Sequence, residues 1–201
     1  MKYFSMKYLL GCLIFITVIL GNAQSENLPL PHRAISLNVA GFLQMGPVLQ
    51  LEQRIVKSNI YLAPYVRYPY AGLIYQIYAT EQFEKKISPA TAGIGLQFRA
   101  YKATKMGAWY GGLGTDYSFG KTRSKDNAWV RQQEYLWTMA TVGVRWRNAE
   151  TKKIISMGII LGPNVALNDK SWYDFAPNIK TDERSNFFLA MVEVSFGLER
   201  R

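Results

Sequence analysis

The chain has 201 residues, a formal net charge of +10 and a single cysteine, Cys12. That length suits one domain, and one cysteine excludes an intramolecular disulfide and a cysteine-rich zinc site. The basic balance suits nucleic acid, an anionic membrane surface or acidic ligands.

In chain order, Lys2 and Lys7 form a basic start, and Leu9 to Leu20 is an apolar run. It is too short to span a bilayer, which takes about 20 apolar residues. Gly21-Asn22-Ala23 puts small residues before Gln24. This is the pattern of a cleaved export signal over 1–23, leaving 24–201 as one domain. Leu9-Leu10-Gly11-Cys12 superficially resembles a lipoprotein box, but a cut there would leave Leu13 to Leu20 on the mature protein. Cys12 therefore leaves with the leader, and export makes nucleic acid the least fitting partner.

Eight segments follow in which apolar residues recur at every second position: 34–44, 47–56, 59–68, 90–102, 108–119, 133–147, 153–163 and 185–198. In the fourth, Ala92, Ile94, Leu96, Phe98 and Ala100 share one face, with Gly93, Gly95, Gln97, Arg99 and Tyr101 on the other. The sixth sets Leu136, Val142, Val144 and Trp146 against Trp137, Thr141, Gly143 and Arg145. The eighth sets Phe188, Val192, Val194, Phe196 and Leu198 against Glu193, Ser195 and Gly197. Period-2 alternation over such lengths specifies strands. Each is long enough to cross a bilayer at a tilt, which takes about 9–11 residues.

The links alternate in length. Short turns lie at Met45-Gly46, around Lys57-Ser58-Asn59, at 103–107 and at 148–152; longer links run over 69–89, 120–132 and 164–184. With both chain ends on the inner side, the long links all fall outside, apart from a short first outer link. Outer-membrane barrels show this asymmetry.

Alternation does not by itself say which face points inward. A soluble lipocalin-like barrel turns its apolar face in; an outer-membrane barrel turns it out. Three features favour outward. Lysine is absent from the middle of every segment. The non-apolar face carries Glu52, Arg54, Arg67, Arg99, Asp116, Arg145 and Glu193, a nearly neutral set able to pair in a narrow interior, where arginine's planar fork serves better than lysine. That face also mixes glycines (Gly93, Gly95, Gly112, Gly114, Gly143, Gly158, Gly197) with large rings (Tyr61, Tyr65, Tyr101, Tyr110, Trp137). Small beside large fills a narrow eight-stranded interior. On the apolar face, Trp109, Trp146 and Phe196 fall near inner strand ends, and Tyr68, Tyr117, Phe119 and Phe188 near outer ones, as in the two aromatic girdles of a membrane barrel. The expected fold is all-β, an eight-stranded antiparallel up-and-down transmembrane β-barrel.

The stretches 35–39, 51–54 and 62–68, with the closing Val192-Glu-Val-Ser-Phe-Gly-Leu198, carry a family resemblance. The chain resembles the small OmpA/OmpX-like outer-membrane barrels and the short outer-membrane β-barrel proteins of Gram-negative bacteria. That resemblance implies insertion by the outer-membrane assembly machinery, which reads apolar alternation in the last strand; Phe196 and Leu198 supply it here. The chain departs from the pattern by ending in Glu199-Arg200-Arg201.

Some small outer-membrane barrels are lipid hydrolases or acyltransferases that pair a histidine with a serine near the outer rim. Nucleophilic catalysis needs a base within hydrogen-bond reach. The one histidine, His32, precedes the first strand, so no catalytic residue is assigned and no enzyme is expected. No metal or cofactor is expected either: histidine and cysteine ligand pairs are missing, and Asp169, Asp174, Asp182 and Glu183 fit no EF-hand spacing. Gly111-Gly112-Leu113-Gly114 lacks the strand-then-helix setting of a phosphate loop.

In the third outer link, Lys121, Arg123, Lys125 and Arg131 outnumber Asp126 and lie near Trp129. Such residues would stand level with lipopolysaccharide phosphates, which arginine and lysine bind well. The expected role is a structural or surface-interaction barrel with a side-chain-filled interior, whose partners are outer-membrane lipid and lipopolysaccharide. A narrow pore for small solutes and a soluble periplasmic lipid carrier are the alternatives.

Overall fold

The computed structural model describes residues 31–55, 58–69, 73, 91–104, 107–123, 129–148, 150–182 and 184–200. The leader over 1–23, the link carrying Tyr75 to Tyr78, and Lys125 lie outside the described residues. Among the described residues nine strands form: β1 (Arg33–Asn38), β2 (Val48–Arg54), β3 (Ile60–Arg67), β4 (Ala92–Thr104), β5 (Gly107–Arg123), β6 (Trp129–Arg147), β7 (Lys153–Tyr173), the two-residue β8 (Thr181–Asp182) and β9 (Phe187–Arg200). They make one all-β antiparallel sheet. Each strand from β1 to β7 pairs with the next in sequence, β7 also pairs with β9, and β9 pairs back with β1. Eight strands thus close a ring in which each has a neighbour on both sides, and β8 is an appendage on β7.

Closure makes the two faces unequal, and the side chains divide as the alternation requires. Arg99 and Glu193 are each 1% exposed, whereas Val142 and Val192 are 39% and 49% exposed. Trp109, Trp146, Phe196, Tyr68, Phe119 and Phe188 are exposed as well. Charged side chains on the outward register, among the described residues, sit only toward strand ends: Arg33, Lys102, Lys153 and Arg200 at one end, Lys121, Glu134, Lys170 and Asp182 at the other. The ring is apolar outside and polar within.

The interior is filled because glycines yield room to rings. A Cβ on Gly95 would overlap Cζ and the hydroxyl of Tyr65, and Cβ atoms on Gly143 and Gly158 would strike the Tyr110 hydroxyl. Tyr61, Tyr101, Tyr110 and Ala108 close the end nearer the chain termini, where the Tyr61 hydroxyl donates to the Pro31 carbonyl. Tyr65, Trp137, Met139, Ile160 and Met191 form a second cluster nearer the opposite mouth.

Four boundaries differ from the alternation by four residues or more, each for a local reason. β1 ends at Asn38, six residues earlier than expected, because the Asn38 side chain accepts from Ala40 N at 3.1 Å and starts a 3-10 turn over Val39–Phe42. Gly41 and Gly46 make that fold tight: Gly46 N bonds Gly41 O at 2.7 Å, and Gly46 has a φ of 107°, which favours glycine. The link then tucks Met45 against the Tyr65–Trp137 cluster. β5, β6 and β7 extend past their expected ends at the same mouth. At 120–123, 131–134 and 168–171 polar residues and glycine occupy both faces, so alternation fades there although backbone pairing continues. Within this extension the β6–β7 register shifts between Glu134 and Tyr135. Partnering Glu134 with Asn168 and Tyr135 with Ala166 leaves Leu167 as an extra residue, a β-bulge.

Gly143→Val is expected to lower the urea unfolding midpoint of the protein by an amount equivalent to about 1–3 kcal/mol or more, because the Tyr110 ring and the Met157 carbonyl occupy that space. An unchanged midpoint would show that the interior is not close-packed there.

Candidate functional site

Six of the seven ionic residues expected inside are buried, in two groups. The central group holds Glu52, Arg99, Arg145 and Glu193, brought from β2, β4, β6 and β9 to the middle of the ring. Arg99 grips Glu193 with both terminal nitrogens (3.1 and 2.9 Å), reaches Glu52 Oε1 at 3.3 Å, and donates Nε to Gln97 Oε1 at 2.8 Å. Arg145 grips both oxygens of Glu52 (2.6 and 2.8 Å) and donates Nε to Ser156 Oγ at 3.0 Å. The remaining carboxylate capacity is met by hydroxyls. Tyr101 donates to Glu52 at 2.9 Å, and Tyr110 and Ser195 donate to Glu193 at 3.0 and 3.1 Å. Two of these rings also face the cations: Arg145 Cζ lies 4.6 Å from the Tyr101 centroid and Arg99 Cζ 4.9 Å from that of Tyr110. Two glutamates and two arginines cancel, so the group is buried without net charge.

Arg67 and Asp116 form the second group, nearer the mouth. Arg67 Nη2 lies 3.1 Å from Asp116 Oδ1 and also donates to Ser118; its Nη1 reaches the carbonyls of Met45 and Thr91 at 3.0 and 3.1 Å. One guanidinium therefore ties together two neighbouring links and the wall. The seventh residue, Arg54, is half-buried on the same strand as Glu52 but turns to the β2–β3 link, donating to Ser58 O at 2.6 Å and Asn59 Oδ1 at 3.3 Å. Between the groups lies a cavity of about 20 Å³, bounded in part by Tyr65, Arg67, Arg99, Trp137 and Glu193. That is room for about one water.

Of the four basic residues expected on the third outer link, Lys121 and Arg131 have described side chains, and these two face opposite ways. Arg131 occupies the inward register of β6 and spends its guanidinium on Asp169, with Nε–Oδ1 and Nη2–Oδ2 both 2.7 Å. Tyr135 donates to the same carboxylate. Lys121 faces outward near the end of β5, its ammonium 5.4 Å from the Trp172 centroid. Arg123 ends β5 opposite Val130.

Alternation alone did not single out Asp169, which is fully buried although it belongs to a polar stretch expected to be a solvated link. The extra residue at Leu167 reverses the parity of β7, so Asn168 and Lys170 turn outward and Asp169 turns in. Nor were Arg147 and Glu199 singled out, an ion pair at 2.6 Å near the opposite mouth. In the last link, Asp182 is bound by Arg184, whose side chain and amide hold its carboxyl below the usual range. Asp169 and Asp182 are thus engaged by different cations.

Compared with protein-family models, curated proteins and solved structures, the chain matches none.

Glu52→Ala is expected to cost about 3–5 kcal/mol, because it leaves Arg145 buried without its carboxylate. Adding Arg145→Ala should cost less than the sum of the two single changes, by about 0.5–3 kcal/mol. Urea unfolding followed by near-ultraviolet circular dichroism measures both; strict additivity would mean that the pair is not coupled.

Proposed function

We propose that the chain is an eight-stranded up-and-down transmembrane β-barrel of a bacterial outer membrane, exported by its leader and serving a structural or surface-interaction role. The observation that carries this reading is the polarity of the ring. A soluble ring would expose its ions and bury Val142 and Val192; this one does the reverse. In water such an apolar exterior is a liability. In a bilayer it is the required surface, and a closed ring meets the companion requirement that every strand edge be paired. The exposed aromatics near strand ends support interfacial girdles: Trp109 and Trp146 on the side of the chain termini, Tyr68, Phe119 and Phe188 on the other. The long side of the ring, where β5, β6 and β7 overrun their neighbours, then faces the exterior and offers the contact surface.

Within this reading the ionic interior serves stability. Two paired groups, an aromatic floor and an apolar cluster leave a central cavity of about one water. That packing supports a plugged barrel over a narrow pore, and the outward apolar face supports it over a soluble lipid carrier. The resemblance to OmpA/OmpX-like barrels agrees, with the outer-membrane assembly machinery as the proposed route of insertion.

Cell fractionation with gel mobility before and after boiling tests the proposal. The protein should sediment with outer membranes, float with lipid vesicles, and run faster unboiled than boiled. Val142→Arg should then cost about 2–4 kcal/mol, as a cation on a lipid-facing midplane does. Release by osmotic shock, one mobility, and a neutral Val142→Arg would refute it.

A further inference from the structure

The outward face near the ends of β5, β6 and β7 carries a lattice of side chains that the interior does not use. Strand register arranges it in rows, because residues directly opposite one another share a face at about 5 Å. One row runs Lys121–Gln132–Lys170–Asp182. The next toward the middle of the ring is Phe119–Glu134–Asn168, and the one after begins Tyr117–Leu136. Above the first row, Trp172 lies opposite Val130. Rows are separated by about 7 Å, two residues of strand.

Chemistry changes from row to row. Lys121 and Lys180 hold their ammonium groups 5.4 and 5.0 Å from the Trp172 centroid, and Lys170 is exposed beside them. Asp182, the acid in their row, is already gripped by Arg184, with Nη2–Oδ2 at 2.6 Å. An exposed cation–π contact is worth only about 0.5–1 kcal/mol, so both lysines can turn to a stronger anion. One row down, Glu134 accepts from Gln132 Nε2 (3.2 Å), Asn168 Nδ2 (3.3 Å) and the Tyr117 hydroxyl (3.2 Å). It lines an outward concavity of about 460 Å³ with Tyr117, Phe119 and Lys121. Below lie Leu136 and the apolar band.

We infer that this face holds one phosphorylated glycolipid, its phosphate on Lys121, Lys170 and Lys180, its sugar hydroxyls on Glu134, Gln132 and Asn168, and its acyl chains over Tyr117, Phe119 and Leu136. The inference rests on the membrane reading above and gives its lipopolysaccharide contact a composition. Arg131 has no part in it, since its guanidinium is spent on Asp169. A bare phosphate site would need only the lysines. The amide and carboxylate row between cations and apolar chains is what a sugar headgroup adds: hydroxyl donors and acceptors at that height.

Native mass spectrometry of the full, export-processed protein tests this, with bis-phosphorylated lipid A, its dephosphorylated form, phosphatidylethanolamine and inorganic phosphate as probes. One lipid A should remain bound at energies that strip phosphatidylethanolamine, and dephosphorylated lipid A should be lost. Lys121→Ala/Lys170→Ala/Lys180→Ala should lower the retained fraction at least tenfold, Glu134→Ala several-fold, and Lys102→Ala/Lys153→Ala at the other end not at all. Undiminished retention by the triple variant, or equal retention of the dephosphorylated lipid, would overturn the inference. Displacement of lipid A by millimolar inorganic phosphate would reduce the face to a phosphate site and overturn the glycolipid assignment. Wild-type protein that floats with vesicles yet retains no lipid A would sink this inference alone; protein that does not float would sink the membrane reading with it.

Discussion

Two glutamates and two arginines at the centre of a closed ring are the interaction on which the structure turns. Glu52, Arg99, Arg145 and Glu193 come from four different strands, so the bonds among them form only when the ring has closed in the correct register. A one-residue slip in any strand would throw its ion to the outside and leave its partners buried and unmatched. Isolated, each charge would be expensive to bury; matched, with carboxylate oxygens met by arginine, tyrosine or serine, the cluster makes the native register far better than its neighbours. Tyr101 and Tyr110 belong to this logic twice, donating to the glutamates and laying their rings beside the arginines.

The same closure accounts for the surface. With the interior committed to ions and rings, the other half of every strand has to face outward, and in the middle rows it is aliphatic. Nothing about a sheet requires this polarity; a soluble ring of the same size has the opposite one. The proposed bilayer reconciles the two halves, since it rewards an apolar exterior and tolerates ions only where they are paired within. Charged and polar side chains return at both strand ends, and on the long side they return in ordered rows of differing chemistry.

How much of this can be read from the amino acids depends on where alternation is informative. Over 96–99, 140–146 and 192–198, within β4, β6 and β9, outward apolar residues alternate with polar or glycine ones, and the inward set, from Gln97 and Arg99 to Glu193 and Ser195, is assigned correctly by parity alone. The pairing of small with large is legible too: Gly95 under Tyr65, and Gly143 and Gly158 around Tyr110, follow from glycines and tyrosines sharing a face. Parity fails where an extra residue or a turn intervenes. The bulge at Leu167 turns Asp169 inward, where it meets Arg131, which faces inward by the unbroken parity of β6 although its stretch is expected as a surface link. At Asn38 a side-chain cap outweighs the apolar pattern that continues to Gln44, and the strand stops. Beyond the apolar band, hydrogen-bonded pairing needs no hydrophobic period, so the true ends of β5, β6 and β7 leave no mark in the pattern.

The central claim is that the aliphatic face meets lipid. Spin labels on single cysteines, introduced in a Cys12→Ser background at positions 98, 142 and 192 and at 153 for reference, report directly on that contact. In reconstituted vesicles the account predicts that labels at 98, 142 and 192 collide readily with oxygen and hardly at all with a water-soluble nickel chelate, while the label at 153 shows the opposite. Labels at 98, 142 and 192 that are freely accessible to the chelate would place the aliphatic face in water and contradict the account.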